Sequence, residues 1–80
     1  MVIAKLLKYW RAERAFTFHQ LSELSDVDGG YLNKLENNVS TRPGRNILIR
    51  VSIGLGLDID DTDELLKAAG HVPLRKMKMN

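Results

Sequence analysis

Two helix-start signals, 11 residues apart, constrain the fold of this chain more than any other feature. The first is Thr17 followed by Gln20, the spacing of a capping box, in which each side chain binds a free backbone amide. The second is Asp28, because an aspartate carboxylate accepts hydrogen bonds from free amides and complements the helix dipole. The apolar pairs that flank these caps have the spacing of hydrophobic staples: Phe16 with Leu21, and Val27 with Leu32. The signals predict one helix that begins at Thr17 and another that begins after Asp28.

The connection between these two helices is very short. Helical spacing ends near Ser25, which leaves only Asp26 and Val27 before the next cap. The chain therefore has to turn sharply. Gly29 and Gly30 then open the second of the two helices, although glycine costs up to about 1 kcal/mol in a helix interior and less in a first turn.

The other apolar residues also recur at helical spacing, and no segment alternates as a strand would. The further helices expected are about Ile3 to Arg14, a fourth from near Pro43 to Gly56, and a fifth from about Asp61 to Ala69 that stops at Gly70. The residues expected to face the core are Ile3, Leu7, Trp10, Leu32, Leu35, Ile47, Leu48, Val51 and Leu55. The sequence thus predicts an all-α fold, a compact bundle of about five short helices.

Length and composition limit the kind of protein that this chain can be. Its 80 residues suffice for one domain, expected at residues 1–73, followed by a basic, flexible C-terminal tail at residues 74–80. It has no cysteine, which excludes disulfide scaffolds and favours a cytoplasmic location. Lys5, Lys8 and Arg11 interrupt the N-terminal apolar run, and the longest apolar stretch, ILIRVSIGLGL, is 11 residues long and contains Arg50. We therefore expect neither a signal peptide nor a membrane span.

The charge distribution is mildly asymmetric. Residues 1–57 carry 8 basic and 5 acidic side chains, whereas residues 58–80 carry 4 and 5. The net charge is thus +3 for residues 1–57 and −1 for residues 58–80. This distribution is compatible with a polyanionic partner, although an ordinary solvated surface explains it equally well. The acidic residues between 58 and 64 lack EF-hand spacing and are interpreted as acids gathered at the start of the fifth helix. His19 and His71 are interpreted as exposed polar residues, and no nucleophile has a base beside it, so we predict no metal, no cofactor and no enzymatic activity.

The stretch RAERAFTFHQLSELSDVDGGYLNKLENN resembles the Xre/Cro/cI-type helix-turn-helix domain of bacterial and phage repressors. The matching positions are Arg11, Ala15, Phe16-Thr17, Leu21-Ser22, Val27-Asp28 and the run from Tyr31 to Glu36. RPGRNILIRVSIGLGL is similar to the family's proline-led fourth helix, and DELLKAAGHVP to its fifth. The resemblance covers about residues 3–73 and implies a lambda-repressor-like DNA-binding domain that places its third helix in the major groove.

The sequence departs from the family pattern where the family meets DNA. Phe18 stands where many members carry a glutamine that binds the DNA backbone. Asp26 stands where the turn usually has glycine, and aspartate tolerates the left-handed backbone region. Gly29 and Gly30 occupy positions that often read bases. These departures concern DNA contact and leave the expected fold unchanged.

The resemblance places base contacts on the third helix. Lys34 is the main candidate, since lysine donates to guanine O6 and N7, with a solvated surface lysine as the alternative. Asn33 and Tyr31 are secondary candidates: asparagine can pair with adenine, and tyrosine can contact a phosphate or a thymine methyl group. Gly29 and Gly30 either bring backbone amides close to a phosphate or merely ease the turn. Asp28 is interpreted as a cap in preference to a base contact.

Other residues are candidates for contact with phosphates. Arg42 and Arg45 flank Pro43 in the loop before the fourth helix, and the family lays that loop along the sugar–phosphate chain. Asn37 and Thr17 are expected to add neutral hydrogen bonds. Arg11 and Glu36 match a family pair that ties the first helix to the third, and we interpret them as a structural salt bridge.

Two hypotheses about function follow. The first is a DNA-binding transcriptional regulator, most simply a repressor that binds a palindromic operator in double-stranded DNA as a homodimer. Ile53, or a stripe formed by Val2, Leu6 and Tyr9, would supply the dimer contact. The second is a helix-turn-helix protein-interaction module, either an adaptor or antitoxin-like, with weak or no DNA binding. Acidic Asp26 and Asp28, with Phe18 and the glycine pair, favour this second hypothesis.

Overall fold

The chain folds into short helices, as a computed structural model of residues 2–37 and 42–77 describes it. The helices are α1 (Val2–Glu13), α2 (Phe18–Ser25), α3 (Gly29–Glu36), α4 (Arg45–Leu55), α5 (Ile59–Ala68) and α6 (Leu74–Met77). The described residues contain no strand. The prediction of an all-α bundle with five main helices is confirmed, and α6 is a short addition to it. Residues 38–41, within the expected loop before α4, lie outside the described residues.

The caps that the sequence predicted begin α2 and α3. Thr17 Oγ1 accepts from the backbone amide of Gln20 at 3.0 Å, and Gln20 Oε1 accepts from the backbone amide of Thr17 at 2.8 Å. This reciprocal pair is the complete capping box. At α3, Asp28 Oδ2 accepts from the Tyr31 amide at 3.0 Å. Both helix starts are therefore fixed by local hydrogen bonds.

Asp26 and Val27 make the sharp turn between α2 and α3. Asp26 has φ 58° and ψ 37°, in the left-handed region, and its amide donates to Ser22 O at 2.8 Å. Aspartate accepts this conformation more readily than most residues other than glycine. Val27 is buried beneath the turn. This turn redirects the chain so that α3 packs on α1 and α2.

The core lies between α1, α2, α4 and α5, and α3 adds one side to it. The buried apolar cluster is Ile3, Leu7, Trp10, Leu21, Val27, Leu32, Leu35, Leu48, Val51, Leu55, Leu65 and Leu66. Most of the predicted core positions belong to it, whereas Ile47 is only partly buried at its edge. No helix within the described residues has both the length and the apolar character needed to cross a membrane.

Helices α2 and α4 approach each other very closely where Ser25 meets Gly54. A Cβ atom added to Gly54 would lie 2.9 Å from Ser25 Cβ and 3.0 Å from the Ser25 amide nitrogen. Ser25 is buried, and its hydroxyl donates back to Leu21 O at 2.6 Å. Two small residues thus allow the backbones of α2 and α4 to meet.

The fifth helix begins two residues before its predicted start at Asp61. Asp58 is its N-cap, and Asp58 Oδ1 accepts from the Asp61 amide at 2.8 Å. From the sequence, the acids of this run are interpreted only as charges gathered at the start of the helix. Asp58 has the more specific role of capping it. The helix then ends before Gly70, whose φ of 80° suits glycine.

Asp63 connects α5 to α6. This buried carboxylate accepts from the Leu74 amide at 2.6 Å and from the Arg75 amide at 3.3 Å. Arg75 also pairs with Asp60. The boundary at residue 73 stays a prediction, although the first part of the expected tail, up to Met77, is helical. Residues 78–80 lie outside the described residues.

Candidate nucleic-acid interface

Helix α3 has one buried side and one exposed side. Leu32, Leu35 and Glu36 are buried against the rest of the molecule. The residues on the opposite side, all exposed, form what we call the outer face of α3: Gly30, Asn33, Lys34 and Asn37. Their spacing of three and four residues places them in one stripe along the helix. Four of the residues expected to contact bases or phosphates therefore lie together on one exposed face.

Arg11 holds α3 from its buried side. Its Nε donates to Glu36 Oε2 at 2.6 Å, and its Nη2 donates to Glu36 Oε1 at 3.0 Å. Its Nη1 donates to Phe16 O at 2.7 Å, in the connection between α1 and α2. The hydrogen bonding of Arg11 to the Glu36 carboxylate raises the pKa of the Arg11 guanidinium above its ordinary value. The pair expected from the resemblance is thus a bidentate contact that joins α1, the start of α2 and the end of α3.

Phe18 has a structural role that its departure from the family pattern does not reveal. The Arg11 guanidinium carbon lies 4.2 Å from the centre of the Phe18 ring, within the range of a cation–π contact. Phe18 is partly buried against the core. An aromatic residue at this position therefore covers the Arg11–Glu36 pair instead of reaching outward as a glutamine would. Nothing in the spacing of the sequence alone signals that contact.

Two residues of the outer face bind each other. Asn37 Nδ2 donates to the Asn33 backbone carbonyl at 2.9 Å and also to Asn33 Oδ1. Lys34 is exposed between them in sequence. Tyr31 lies aside from this face and packs partly against the core, so its ring is less accessible than those neighbours.

The start of α3 is built around Asp28. Asp28 acts as a helix cap, because its Oδ2 accepts from the Tyr31 backbone amide. This agrees with the interpretation of Asp28 as a cap in preference to a base contact. A Cβ atom on Gly30 would lie 3.0 Å from Asp28 Oδ2, so the absence of a side chain leaves room for the cap. A Cβ atom on Gly29 would meet Phe18 O and Ser22 Cβ at 3.8 Å, which is ordinary contact. Of the two glycines, only Gly30 has a steric role.

The two candidate phosphate clamps differ. Arg42 is exposed, beside buried Pro43. Arg45 is instead the first residue of α4, and its Nε donates to Val72 O at 2.9 Å. Its Nη2 is buried and has no hydrogen-bond partner among the described residues. Arg45 therefore lies at the start of α4 and not in the loop before it, and its Nε is already bound to Val72 O, whereas Arg42 is exposed. A phosphate contact stays a prediction for both residues.

His71 is not the exposed polar residue that the sequence indicated. It is partly buried, and its Nε2 lies 2.8 Å from Pro43 O. A carbonyl can only accept, so Nε2 carries the proton in this contact. Together with Arg45 and Val72, this contact ties the segment after α5 to the start of α4. The residues described also contain no group of three potential ligands placed to hold a metal ion.

The chain is similar in sequence to a bacterial transcriptional regulator. The chain is 28% identical over 60 residues to the HTH-type transcriptional regulator SlrR of Bacillus subtilis (strain 168). The aligned part is 75% of this chain and 40% of SlrR, so the chain spans well under half of that relative. No family model matches the chain. No solved structure matches it either.

Proposed function

We propose that this protein is a DNA-binding transcriptional regulator that places α3 in the major groove of double-stranded DNA. The observation that carries this proposal is the stripe of four exposed residues on the outer face of α3, opposite a side buried in the core. A major groove about 12 Å wide admits one α-helix. The similarity to SlrR, whose name describes a transcriptional regulator, supports the same function.

Phosphate contacts would supply most of the affinity. Lys34 and Arg42 are exposed cations, one on α3 and one shortly before α4. The hydroxyl of Thr17 accepts from Gln20 and retains its own proton, which a phosphate oxygen can bind. In this arrangement α2 lies across the sugar–phosphate backbone while α3 reads bases.

The finer proposal is a repressor of the Xre/Cro/cI type that occupies a palindromic operator as a homodimer. Two-fold symmetry in the protein would match half-sites about 34 Å apart. Ile53 is 71% exposed, and Leu24 is 54% exposed. They directly precede Gly54 and Ser25, the residues at which α4 and α2 meet, so they are suited to contact a second copy. For the alternative stripe on α1, Tyr9 is exposed and Leu6 is partly buried, whereas the Val2 side chain lies outside what the structure describes.

Duplex binding measured at several salt concentrations tests this function. Fluorescence anisotropy with a random-sequence duplex pool, between about 50 mM and about 200 mM salt, gives the slope of log K against log salt. We expect affinity to fall steeply with salt, by about 0.9 in slope for each phosphate neutralised. Selection of bound duplexes from the pool, with the size of the complex, then identifies the operator and the number of copies bound. Absence of binding at about 50 mM salt would contradict the proposal.

A protein-interaction module is the second candidate. Asp26 and Asp28 are exposed beside α3 and would repel phosphates, and Arg45 is bound to Val72. These features reduce the positive charge available to DNA. Asp26→Asn retains a residue that accepts the left-handed region but removes one negative charge. If the protein is a regulator, this variant should bind duplexes several-fold more tightly at low salt, and no change would favour the interaction module.

A further inference from the structure

The contact between Asn33 and Asn37 fixes the direction in which the Asn33 amide faces. The same Asn37 atom, Nδ2, approaches both the Asn33 backbone carbonyl and the Asn33 side chain. Both residues are exposed, so they are accessible to a nucleic acid. The orientation of these two amides therefore determines what the outer face of α3 offers to a base.

Simple chemistry settles both orientations. A backbone carbonyl oxygen can only accept a hydrogen bond, so the Asn37 atom 2.9 Å from it must be the amide nitrogen. The Asn33 side-chain atom that the same nitrogen approaches must then be the oxygen, because two amide nitrogens would both be donors. Asn33 thus turns its oxygen toward the last turn of α3, and its NH₂ group is left for a partner outside the helix.

Lys34 has the same hydrogen-bonding character. Its ammonium group has three donors and no acceptor. Gly30, one turn earlier, adds no side chain to the outer face. The two side chains in the middle of the outer face, Asn33 and Lys34, therefore present donors to whatever lies against it.

We propose that Asn33, held by Asn37, selects guanine and rejects adenine in the DNA that α3 reads, and this proposal rests on the proposed function. Guanine presents two adjacent acceptors in the major groove, O6 and N7, whereas adenine presents N7 beside a donor, its N6 amino group. An asparagine pairs with adenine by using its oxygen and its nitrogen together. Because the Asn33 oxygen faces Asn37, guanine replaces adenine as its matching base. Asn37 is then a positioning residue that determines specificity without touching the base.

Selection of bound duplexes with the wild-type chain, three single variants and one double variant tests the proposal. The base pair whose preference disappears in Asn33→Ala is the one that Asn33 reads. At that base pair the wild-type chain should prefer guanine over adenine by roughly tenfold. Asn37→Ala, and Asn37→Leu with a shape close to asparagine and no donor, should reduce or reverse this preference. In the Asn33→Ala background, the effect of removing the Asn37 amide should vanish, as a double-mutant cycle requires.

Base analogues test the atoms involved. At the same position, inosine keeps O6 and N7 and should bind as guanine does, whereas 7-deazaguanine lacks N7 and should bind several-fold more weakly. Far-ultraviolet circular dichroism and thermal melting verify that each variant is folded, and exposed Asn37 can be replaced without opening the core.

The outcomes separate this proposal from the proposed function. A wild-type preference for any other base at that position, or an unchanged preference in both Asn37 variants, would overturn the role of Asn37 while salt-dependent DNA binding stands. If Asn33→Ala alters no base preference, the proposal also fails and the regulator remains. If no duplex binds at all, both fail together.

Discussion

Arg11 joins the first three helices through its side-chain contacts. It donates two hydrogen bonds to Glu36 and one to the Phe16 carbonyl, and it stacks on Phe18. The Glu36 side chain is only 3% exposed, and that of Arg11 is 20% exposed. Solvent screens so enclosed a pair much less than it screens a surface pair. Removal of one partner therefore leaves the other as a buried, unpaired charge.

Arg11→Met should destabilise the domain by about 3–5 kcal/mol, because it leaves the Glu36 carboxylate buried without its partner. Urea denaturation followed by circular dichroism measures the change. The matched control is Arg11→Met combined with Glu36→Met, which removes both charges and should recover most of the lost stability. A double variant as unstable as the single one would show that the pair acts through shape and not through charge.

Tyr9 offers a spectroscopic test at the residue scale. Its hydroxyl donates to Glu13 Oε2 at 3.2 Å, and the charge of Glu13 raises the pKa of the Tyr9 phenol above its ordinary value. The small stabilisation from this contact is complete below the phenol's pKa in the unfolded chain and is lost as pH rises through the higher folded value. Absorbance titration of phenolate should show a component with a raised midpoint that Tyr9→Phe removes. Glu13→Gln should lower that midpoint, and an unchanged midpoint would contradict the assignment.

At the scale of elements, α2 and α4 approach each other closely at Ser25 and Gly54. Helix propensity alone predicts that Gly54→Ala should stabilise α4 by up to about 1 kcal/mol. The structure predicts the opposite sign, a loss of about 1–3 kcal/mol, because the new Cβ would lie within 3.1 Å of three Ser25 atoms. Thermal and urea denaturation decide between the two. Asn46→Ala, at an exposed position on the same helix, should change stability little.

Most of the elements could be predicted from the sequence because their signals are local. The capping box at Thr17, the cap at Asp28 and the glycine after α4 act within one helical turn, so spacing alone locates them. The contacts that were missed join residues distant in sequence. Arg45 binds Val72 and His71 binds Pro43 across 27 and 28 residues, and no periodicity encodes such pairs. For the candidate site, helical spacing located the outer face of α3, but the contact of Phe18 with Arg11 depends on tertiary packing.

At the scale of the whole molecule, replacement of Arg42 and replacement of Arg45 should have different effects on DNA binding and on stability. Arg42→Gln should reduce the magnitude of the salt slope for DNA binding by about 0.9 and leave folding unchanged, since its side chain is exposed. Arg45→Gln should leave the slope nearly unchanged and lower stability by about 1 kcal/mol, because it loses the hydrogen bond to Val72 O. Lys67→Gln, exposed on α5, is the control for loss of one positive charge. Equal changes in slope for Arg42→Gln and Arg45→Gln would mean that Arg45 leaves Val72 when DNA binds.

The two-sided character of α3 has a consequence for how this protein can change over generations. The side chains that anchor α3, Leu32, Leu35 and Glu36, are buried, whereas Asn33, Lys34 and Asn37 make no contribution to the hydrophobic interior. Substitution at these three exposed positions, in evolution or in the laboratory, can therefore change what the helix recognises while lowering the stability of the fold only slightly. Libraries diversified there should yield mostly soluble, cooperatively melting variants.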